Sequence, residues 1–164
     1  MTTIGMRFAH ELEGELSLCR QILERIPPHL LDWKPHPKSP SMGELSVHLA
    51  DMIDWIKLAA TTSELDYATK PHEHSTPAST SALLAYFDER AHGTIESVRH
   101  VSDEEMHKPW TVRNGERIFF SRPRVEVIRV DCLNHIIHHR GQLTVYCRLK
   151  DIALPGVYGP NGDE

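Results

Sequence analysis

The sequence predicts an all-α protein that forms one domain over residues 1–164, a four-helix bundle with long connectors and a small β-hairpin between the third and fourth helices. Two observations predict this class. Four segments of about 20 to 27 residues place apolar side chains at helical spacing, and proline-rich or polar stretches separate them. The length suits a single domain, and no repeat, low-complexity tract or linker divides the chain.

The first predicted helix runs from about Thr3 to Ile26 and ends at Pro27-Pro28. Its apolar residues recur four and three positions apart, so they form one seam along a helix. The members of this seam are Leu12, Leu16, Cys19, Leu23 and Ile26. Glutamates and arginines occupy the positions between them, which is typical of a solvated face. A proline-rich connector that contains Trp33 then leads to Pro40.

The second predicted helix begins at a capping box, Ser41-Met42-Gly43-Glu44, and runs to about Thr61. Its apolar stripe is Leu45, His48, Met52, Trp55 and Ala59. Residues 62–76 are mostly polar, which predicts a long loop.

The third predicted helix starts within residues 77–81 and reaches about Val101. Its buried side is Leu83, Leu84, Phe87, Ala91, Ile95 and Val98.

A short extra helical turn is predicted to start at Ser102, and residues 110–120 predict the β-hairpin. Asn114-Gly115 at its centre favours a type I′ turn. Because two strands alone are marginally stable, we expect this hairpin to lean on the helices. Pro123 suits the first position of the fourth helix, which is predicted to run without interruption to about Leu149. A glycine- and proline-rich tail follows.

The charge balance bounds the partners of this chain. Its 18 basic and 23 acidic residues give a formal charge of −5, without a basic cluster. That balance argues against nucleic acid and against a polybasic membrane-surface patch. No apolar run is long enough to span a bilayer, and no signal peptide is recognisable. The three cysteines form no CxxC pair, so we expect a reducing, cytoplasmic location.

Histidine is in excess, with 12 in the chain. On a helical wheel of the fourth helix, His135 and His139 share the seam that faces the core, and His48 lies in the apolar stripe of the second helix. Burying three imidazoles costs free energy, because their ring nitrogens lose water, unless one ligand binds all three. A divalent cation would do so, with a fourth position left for water or substrate. Imidazole nitrogen binds zinc, nickel, iron and copper alike, so the residue type does not select the metal.

The wheel also shows which residues of the fourth helix lie near the two histidines and which lie on its opposite face. The wedge that holds the two histidines includes Ile128, Gln142 and Tyr146, with Asp131 and Cys132 on its shoulders, and the opposite face holds Arg129, Arg140 and Thr144. Asp131 and Gln142 are candidates to fix the tautomers of the histidines. His138 is interpreted as a rim residue and the cysteines as small buried groups. The alternative that all three seam histidines are ordinary core or solvated residues stays open.

Two motifs resemble those of the DinB family, also described as DinB/YfiT-like metalloenzymes. The run Asn134–Leu143 resembles the NHxxxHRGQ signature, and residues 43–49 resemble the GEL-x-x-H-L segment. Residues 33–37 and 154–160 are also similar to family segments. The resemblance implies a four-helix bundle, commonly a homodimer, in which one zinc or nickel ion is held by His48, His135 and His139. Many members carry another histidine where this chain has Asp131.

These observations leave two classes of function. The first is a metal-dependent enzyme acting on a small-molecule substrate, either an S-transferase or isomerase that uses a low-molecular-weight thiol such as bacillithiol or mycothiol, as the resemblance implies, or a hydrolase. Asp131 would be its base, or a substrate-orienting group. The second is a non-catalytic, metal-binding stress-response bundle or small-ligand scaffold, in which Asp131 would be a fourth metal ligand. A nucleic-acid protein is disfavoured by the charge.

Overall fold

The computed structural model describes residues 2–69 and 77–164, a mostly helical chain with a small three-stranded sheet. The helical elements are α1 (Ile4–Leu23), a 3₁₀ turn (Pro28–Leu30), α2 (Met42–Thr61), α3 (Thr80–Arg99), α4 (Asp103–His107), α5 (Arg124–Glu126), a π-helical segment (Val127–Leu133) and α6 (Asn134–Arg148). The strands are β1 (Glu64–Asp66), β2 (Pro109–Asn114) and β3 (Arg117–Pro123). Over these residues, no helix combines the length and the apolar character that a bilayer crossing requires.

The predicted capping box is confirmed at the start of α2. The Ser41 hydroxyl accepts a hydrogen bond from the Glu44 N–H at 3.1 Å, and a Glu44 carboxylate oxygen accepts from the Ser41 N–H at 2.6 Å. Each bond satisfies a backbone donor that has no partner inside the helix. The box therefore fixes where α2 begins, and with it the turn of α2 that carries His48.

The predicted seam of α1 is also confirmed, since every member is at most 2% exposed: Leu12, Leu16, Cys19, Leu23 and Ile26. The central element is α2, which packs against α3 on one side and against α6 and the π-helical segment on the other. As expected, the hairpin leans on the helices. Trp110 of β2 is fully buried, and its indole N–H donates to the Thr62 hydroxyl at 3.1 Å.

The sheet has one strand more than the sequence predicts. β1 falls in the predicted loop over residues 62–76 and pairs in parallel with β2, giving the order β1-β2-β3. Three residues are too few for an alternating pattern to show, so pairing with a distant strand creates this element. The rest of the predicted loop, from residue 70 to 76, lies outside the described residues.

The pairing register decides which residues of the sheet face the helices. Val112 lies opposite both Leu65 and Phe120, and Trp110 lies opposite Arg122. Because side chains alternate along a strand, these five residues share one face. Leu65, Trp110 and Val112 are buried. Arg122 therefore projects from the sheet towards the helices.

The β-hairpin is confirmed, but the predicted type I′ turn is wrong. Asn114 pairs with Arg117, so the two central residues are Gly115 and Glu116 rather than Asn114 and Gly115. Gly115 has φ of +59°, and Glu116 is not among the positive-φ residues of the described chain. A type I′ turn needs positive φ at both central positions.

The predicted fourth helix is confirmed as one continuous helical stretch over residues 124–148, but its start and part of its hydrogen-bonding pattern differ from the prediction. Pro123 ends β3 instead of starting the helix, and residues 127–133 are π-helical between α5 and α6. A π-helix is hydrogen-bonded from i to i+5, so more residues fit in each turn than in an α-helix. A wheel drawn at the α-helical angle therefore loses its register across this segment. The segment immediately precedes the α6 histidines, a placement in keeping with the frequent occurrence of π-helical turns at functional sites.

Candidate metal centre

The structure brings together the three histidines singled out by the sequence. His48 comes from α2, and His135 and His139 lie one turn apart on α6. One ring nitrogen of each lies within 4.8 Å of the other two, and the ring centroids are 4.4 to 5.3 Å apart. Residues at i and i+4 of a helix share a face, which explains the α6 pair. The contact of α2 with α6 adds His48.

The two ring nitrogens of His139 have different surroundings. Nδ1 lies 2.7 Å from the Gln142 side-chain oxygen, whereas Nε2 is buried and has no hydrogen-bond partner among the described residues. A buried nitrogen without a partner costs about 1–3 kcal/mol. If Nδ1 carries the proton and donates to Gln142, then Nε2 presents a lone pair. An imidazole held in this way suits a divalent cation.

Burial keeps the α6 histidines neutral. It lowers the pKa of His139 to about 4, and the charges of His135 and His48 act in the same direction. Burial also lowers the pKa of His135, opposed by the hydrogen bond that its ring donates to the main-chain carbonyl of Asp131. Both imidazoles are thus uncharged near neutral pH, the form that can bind a cation. Three imidazole nitrogen donors match the donor set of a divalent transition-metal site.

Asp131 contributes its main chain to this centre rather than its carboxylate. One carboxylate oxygen accepts a hydrogen bond from an Arg122 Nη2 at 2.9 Å. The carboxylate is not part of the convergent three-histidine group. Sequence reasoning proposed Asp131 as the partner that orients His135, and the structure assigns that contact to its carbonyl.

A comparison with protein families decides the affiliation of the chain. The sequence model of the DinB superfamily matches residues 11–143. The chain belongs to the DinB superfamily. The match covers most of α1, all of α2 and most of α6, and so all three clustered histidines.

Individual proteins of known sequence or structure are similar over nearly the whole chain. The uncharacterized protein YrdA of Bacillus subtilis (strain 168) is 21% identical over 160 residues, which cover 96% of this chain and 89% of YrdA. A crystal structure of a DinB-like protein from Bacillus cereus ATCC 10987 matches with a TM-score of 0.72 at 20% identity, covering 96% of this chain and 99% of that one. The DinB-like protein YjoA of Bacillus subtilis matches with a TM-score of 0.74 at 15% identity, covering 92% and 96%. These likenesses show the fold.

The other described histidines of this DinB chain are not part of the three-histidine group. The His138 ring is 5.2 Å from that of His139 but is exposed and outside the convergent group, as predicted. Six others are exposed: His10, His29, His36, His92, His100 and His107. His72 and His74, also predicted to be surface residues, lie outside the described residues.

The three cysteines are buried, as predicted, and none is a candidate nucleophile. Burial raises the pKa of Cys19 and Cys132 to about 12 and that of Cys147 to about 11. Since the thiolate is the reactive form, these groups are inert near neutral pH. Any thiol chemistry in this DinB protein therefore requires a thiol from solution.

Sequence reasoning missed the roles of two arginines, Arg122 and Arg140. Arg140 falls opposite the histidines on the wheel, yet it is 2% exposed and pairs with Glu15 of α1 at 2.7 Å. Its guanidinium also donates to the hydroxyl of Tyr158. Arg122 faces the helices and binds Asp131. Strand alternation could have placed Arg122 on the face of Phe120, but no local signal marks a buried arginine.

Replacing Gln142 with leucine is expected to weaken zinc binding about tenfold, because the His139 ring loses the acceptor that fixes its tautomer. The Gln142→Glu variant keeps an acceptor oxygen and is expected to retain the affinity. Competition with a chromogenic chelator would measure both dissociation constants. Equal affinities in wild type and Gln142→Leu would show that this hydrogen bond does not orient His139.

Proposed function

We propose that this chain is a metal-dependent enzyme that holds one divalent cation, zinc or nickel, through His48, His135 and His139. The observation that carries the proposal is the buried Nε2 of His139, which lacks a partner among the described residues and lies in a group of three convergent imidazoles. Membership of the DinB superfamily is compatible with this site. The substrate is a small molecule. The helices supply a four-helix-bundle scaffold for the site.

Three observations favour an open coordination position over a closed, structural one. Only three side chains converge within the described part of the chain. The candidate fourth ligand, Asp131, is engaged by Arg122. Three nitrogen ligands with a fourth position for water or substrate form a known catalytic arrangement. When bound, a divalent cation supplies Lewis acidity, lowering the pKa of a coordinated thiol or water and polarising the substrate.

The chain's own residues act as orienting groups in this proposal. Gln142 holds one nitrogen of His139, and the Asp131 carbonyl holds the ring of His135. The reaction we favour is S-transfer or isomerisation with a low-molecular-weight thiol, as the resemblance to the DinB family implies. The thiol would come from solution, because burial keeps the chain's own cysteines protonated. Hydrolysis with water as the nucleophile is the second candidate reaction. A cytoplasmic homodimer completes the proposal, in line with the resemblance set out above.

The alternative is a non-catalytic metal-binding bundle that serves in a stress response or as a small-ligand scaffold. In that protein the cation would be structural, and Asp131 would complete its coordination. The described geometry does not favour this closed site, because the Asp131 carboxylate binds Arg122 and is not part of the convergent three-histidine group. The two functions therefore differ in whether an external ligand can reach the cation.

Cobalt substitution tests the proposed function. The visible spectrum of the cobalt-loaded protein is expected to change when 2-mercaptoethanol or azide is added, with a sulfur-to-cobalt charge-transfer band for the thiol. The His138→Ala variant, altered beside the centre, is expected to behave like wild type. A spectrum indifferent to both ligands would indicate a closed, structural site and would overturn the enzyme proposal. Failure of the wild type to bind cobalt, zinc or nickel would overturn the metal site itself.

A further inference from the structure

Two buried polar atoms of opposite character belong to the ion pair of Arg122 and Asp131, and Asp131 lies four residues before His135. Nε of Arg122 and the second carboxylate oxygen of Asp131, Oδ2, each lack a hydrogen-bond partner among the described residues. Buried polar groups are nearly always satisfied, so each exception requires an explanation. Two adjacent exceptions, a donor and an acceptor, point to a common ligand.

Arg122 and Asp131 spend only part of their hydrogen-bonding capacity on each other. Arg122 and Asp131 share a single described hydrogen bond, from Nη2 to Oδ1 at 2.9 Å. An arginine and a carboxylate that serve only each other commonly form two parallel bonds. Here only Nη2 and Oδ1 are hydrogen-bonded, and Nε and Oδ2 have no hydrogen-bond partner among the described residues. Hydrogen-bonding capacity therefore remains on both residues while the pair is intact.

The guanidinium of Arg122 is held in place and remains reachable. Its central carbon lies 4.4 Å from the centroid of the Phe120 ring, a stacking contact that restricts its orientation. Its cross-strand partner in the sheet is the buried Trp110. The Arg122 side chain is 37% exposed and that of Asp131 24% exposed. Both side chains are therefore partly accessible to solvent.

Asp131 connects this arginine directly to the metal centre. Its carboxylate binds Arg122, while its main-chain carbonyl accepts the hydrogen bond from the ring of His135. Asp131 is thus the one residue that contacts both Arg122 and His135 in these two bonds. Arginine recognises carboxylates through its fork of N–H donors.

We propose that Arg122 binds a carboxylate of the small molecule that occupies the metal centre. The inference rests on the proposed function and adds a substrate class, small carboxylic acids. Either the thiol or the molecule it attacks can carry this carboxylate. Arg122 is a specificity-determining residue in this proposal.

Matched pairs of thiols test the proposal through binding rather than turnover. The cobalt-loaded protein is titrated with 3-mercaptopropionate and with 3-mercapto-1-propanol, which differ in the carboxylate, and with mercaptoacetate and 2-mercaptoethanol as a shorter pair. We expect the carboxylate thiol of at least one pair to bind about tenfold more tightly to wild type, the size of a charge-assisted hydrogen bond. The preference is expected to disappear in Arg122→Gln.

The control is Arg117→Gln, on the same strand. Arg117 is exposed and stacks over Phe119, so its loss changes the net charge equally without touching Asp131. This variant is expected to keep the preference. Cobalt content and melting temperature of each variant establish that the centre is intact. If Arg122→Gln does not fold, Arg122→Lys, which keeps the charge but not the fork, is expected to show a reduced preference.

A second arm identifies which reactant carries the carboxylate. Propionate is titrated against the complex with 3-mercapto-1-propanol. If the acceptor carries it, propionate is expected to bind in the presence of the neutral thiol, in an Arg122-dependent manner. If the thiol carries it, propionate and the carboxylate thiol are expected to compete.

The outcomes separate the two proposals. If no thiol changes the spectrum, the open metal position fails, and with it the proposed function. If thiols bind but wild type shows no preference for the carboxylate in either pair and no Arg122-dependent binding of propionate, the role of Arg122 is overturned while the open position stands. A preference that persists in both Arg122 variants would likewise overturn it.

Discussion

Replacing His139 with alanine is expected to lower the affinity for zinc or nickel by more than about 100-fold. Substitutions of residues that merely orient a metal ligand already cost 10–100-fold, and His139 supplies the buried Nε2 itself. Wild-type protein purified without a tag is expected to contain close to one first-row divalent ion per chain. The variant is expected to lose most of that ion.

Elemental analysis measures the metal content, and thermal unfolding gives an independent reading. A ligand present at about 1,000 times its dissociation constant stabilises the folded state by about 4 kcal/mol. Added zinc should therefore raise the melting temperature of wild type and have little effect on His139→Ala. His138→Ala, in which an exposed histidine next in sequence is removed, is the matched control and should behave like wild type. Metal retained by His139→Ala at full stoichiometry would exclude His139 as a ligand.

Replacing Arg140 with methionine is expected to destabilise the fold by about 3–5 kcal/mol. Arg140 is 2% exposed and pairs with the Glu15 side chain, which is 16% exposed. The substitution therefore leaves a largely buried carboxylate without the cation that neutralises it. The Tyr158 hydroxyl, which donates to Glu15 at 2.8 Å, also loses the hydrogen bond that it accepts from Arg140. The free energy of unfolding in urea measures the loss.

The matched control is Arg129→Met. Arg129 also pairs with a glutamate of α1, Glu11, at 2.6 Å, but both side chains are more than 40% exposed. Exposed pairs contribute about 0–1 kcal/mol, so this variant should lose little stability. Similar losses in the two variants would contradict the argument that burial makes the Arg140 pair important. Metal content should be unchanged in Arg129→Met.

Much of the helical framework could be predicted because its signals are local. The seam of α1 requires only the periodicity of apolar residues. The capping box of α2 requires only four consecutive residues, 41–44, whose hydrogen bonds close within one turn. The convergence of His135 and His139 follows from the i, i+4 spacing on one helix.

Other features depend on contacts between distant parts of the chain. β1 exists because Leu65 pairs with Val112, and Arg140 is buried because Glu15, 125 residues away in sequence, accepts its hydrogen bonds. The π-helical segment over 127–133 replaces a predicted α-helix. It shifts the register ahead of α6, which no wheel at a fixed angle reproduces.

The sequence by itself determined the long helices, most of their buried faces, the hairpin and the three histidines, since each rests on residue type and short spacing. The tertiary structure decided that His48 meets the α6 pair, that Arg122 engages the carboxylate of Asp131, and that Nε2 of His139 is buried without a partner among the described residues. These facts require the packing of α2 against α6 and of the sheet against the helices. Burial, and with it the lowered pKa of His139, depends on everything packed around a residue rather than on its neighbours in sequence.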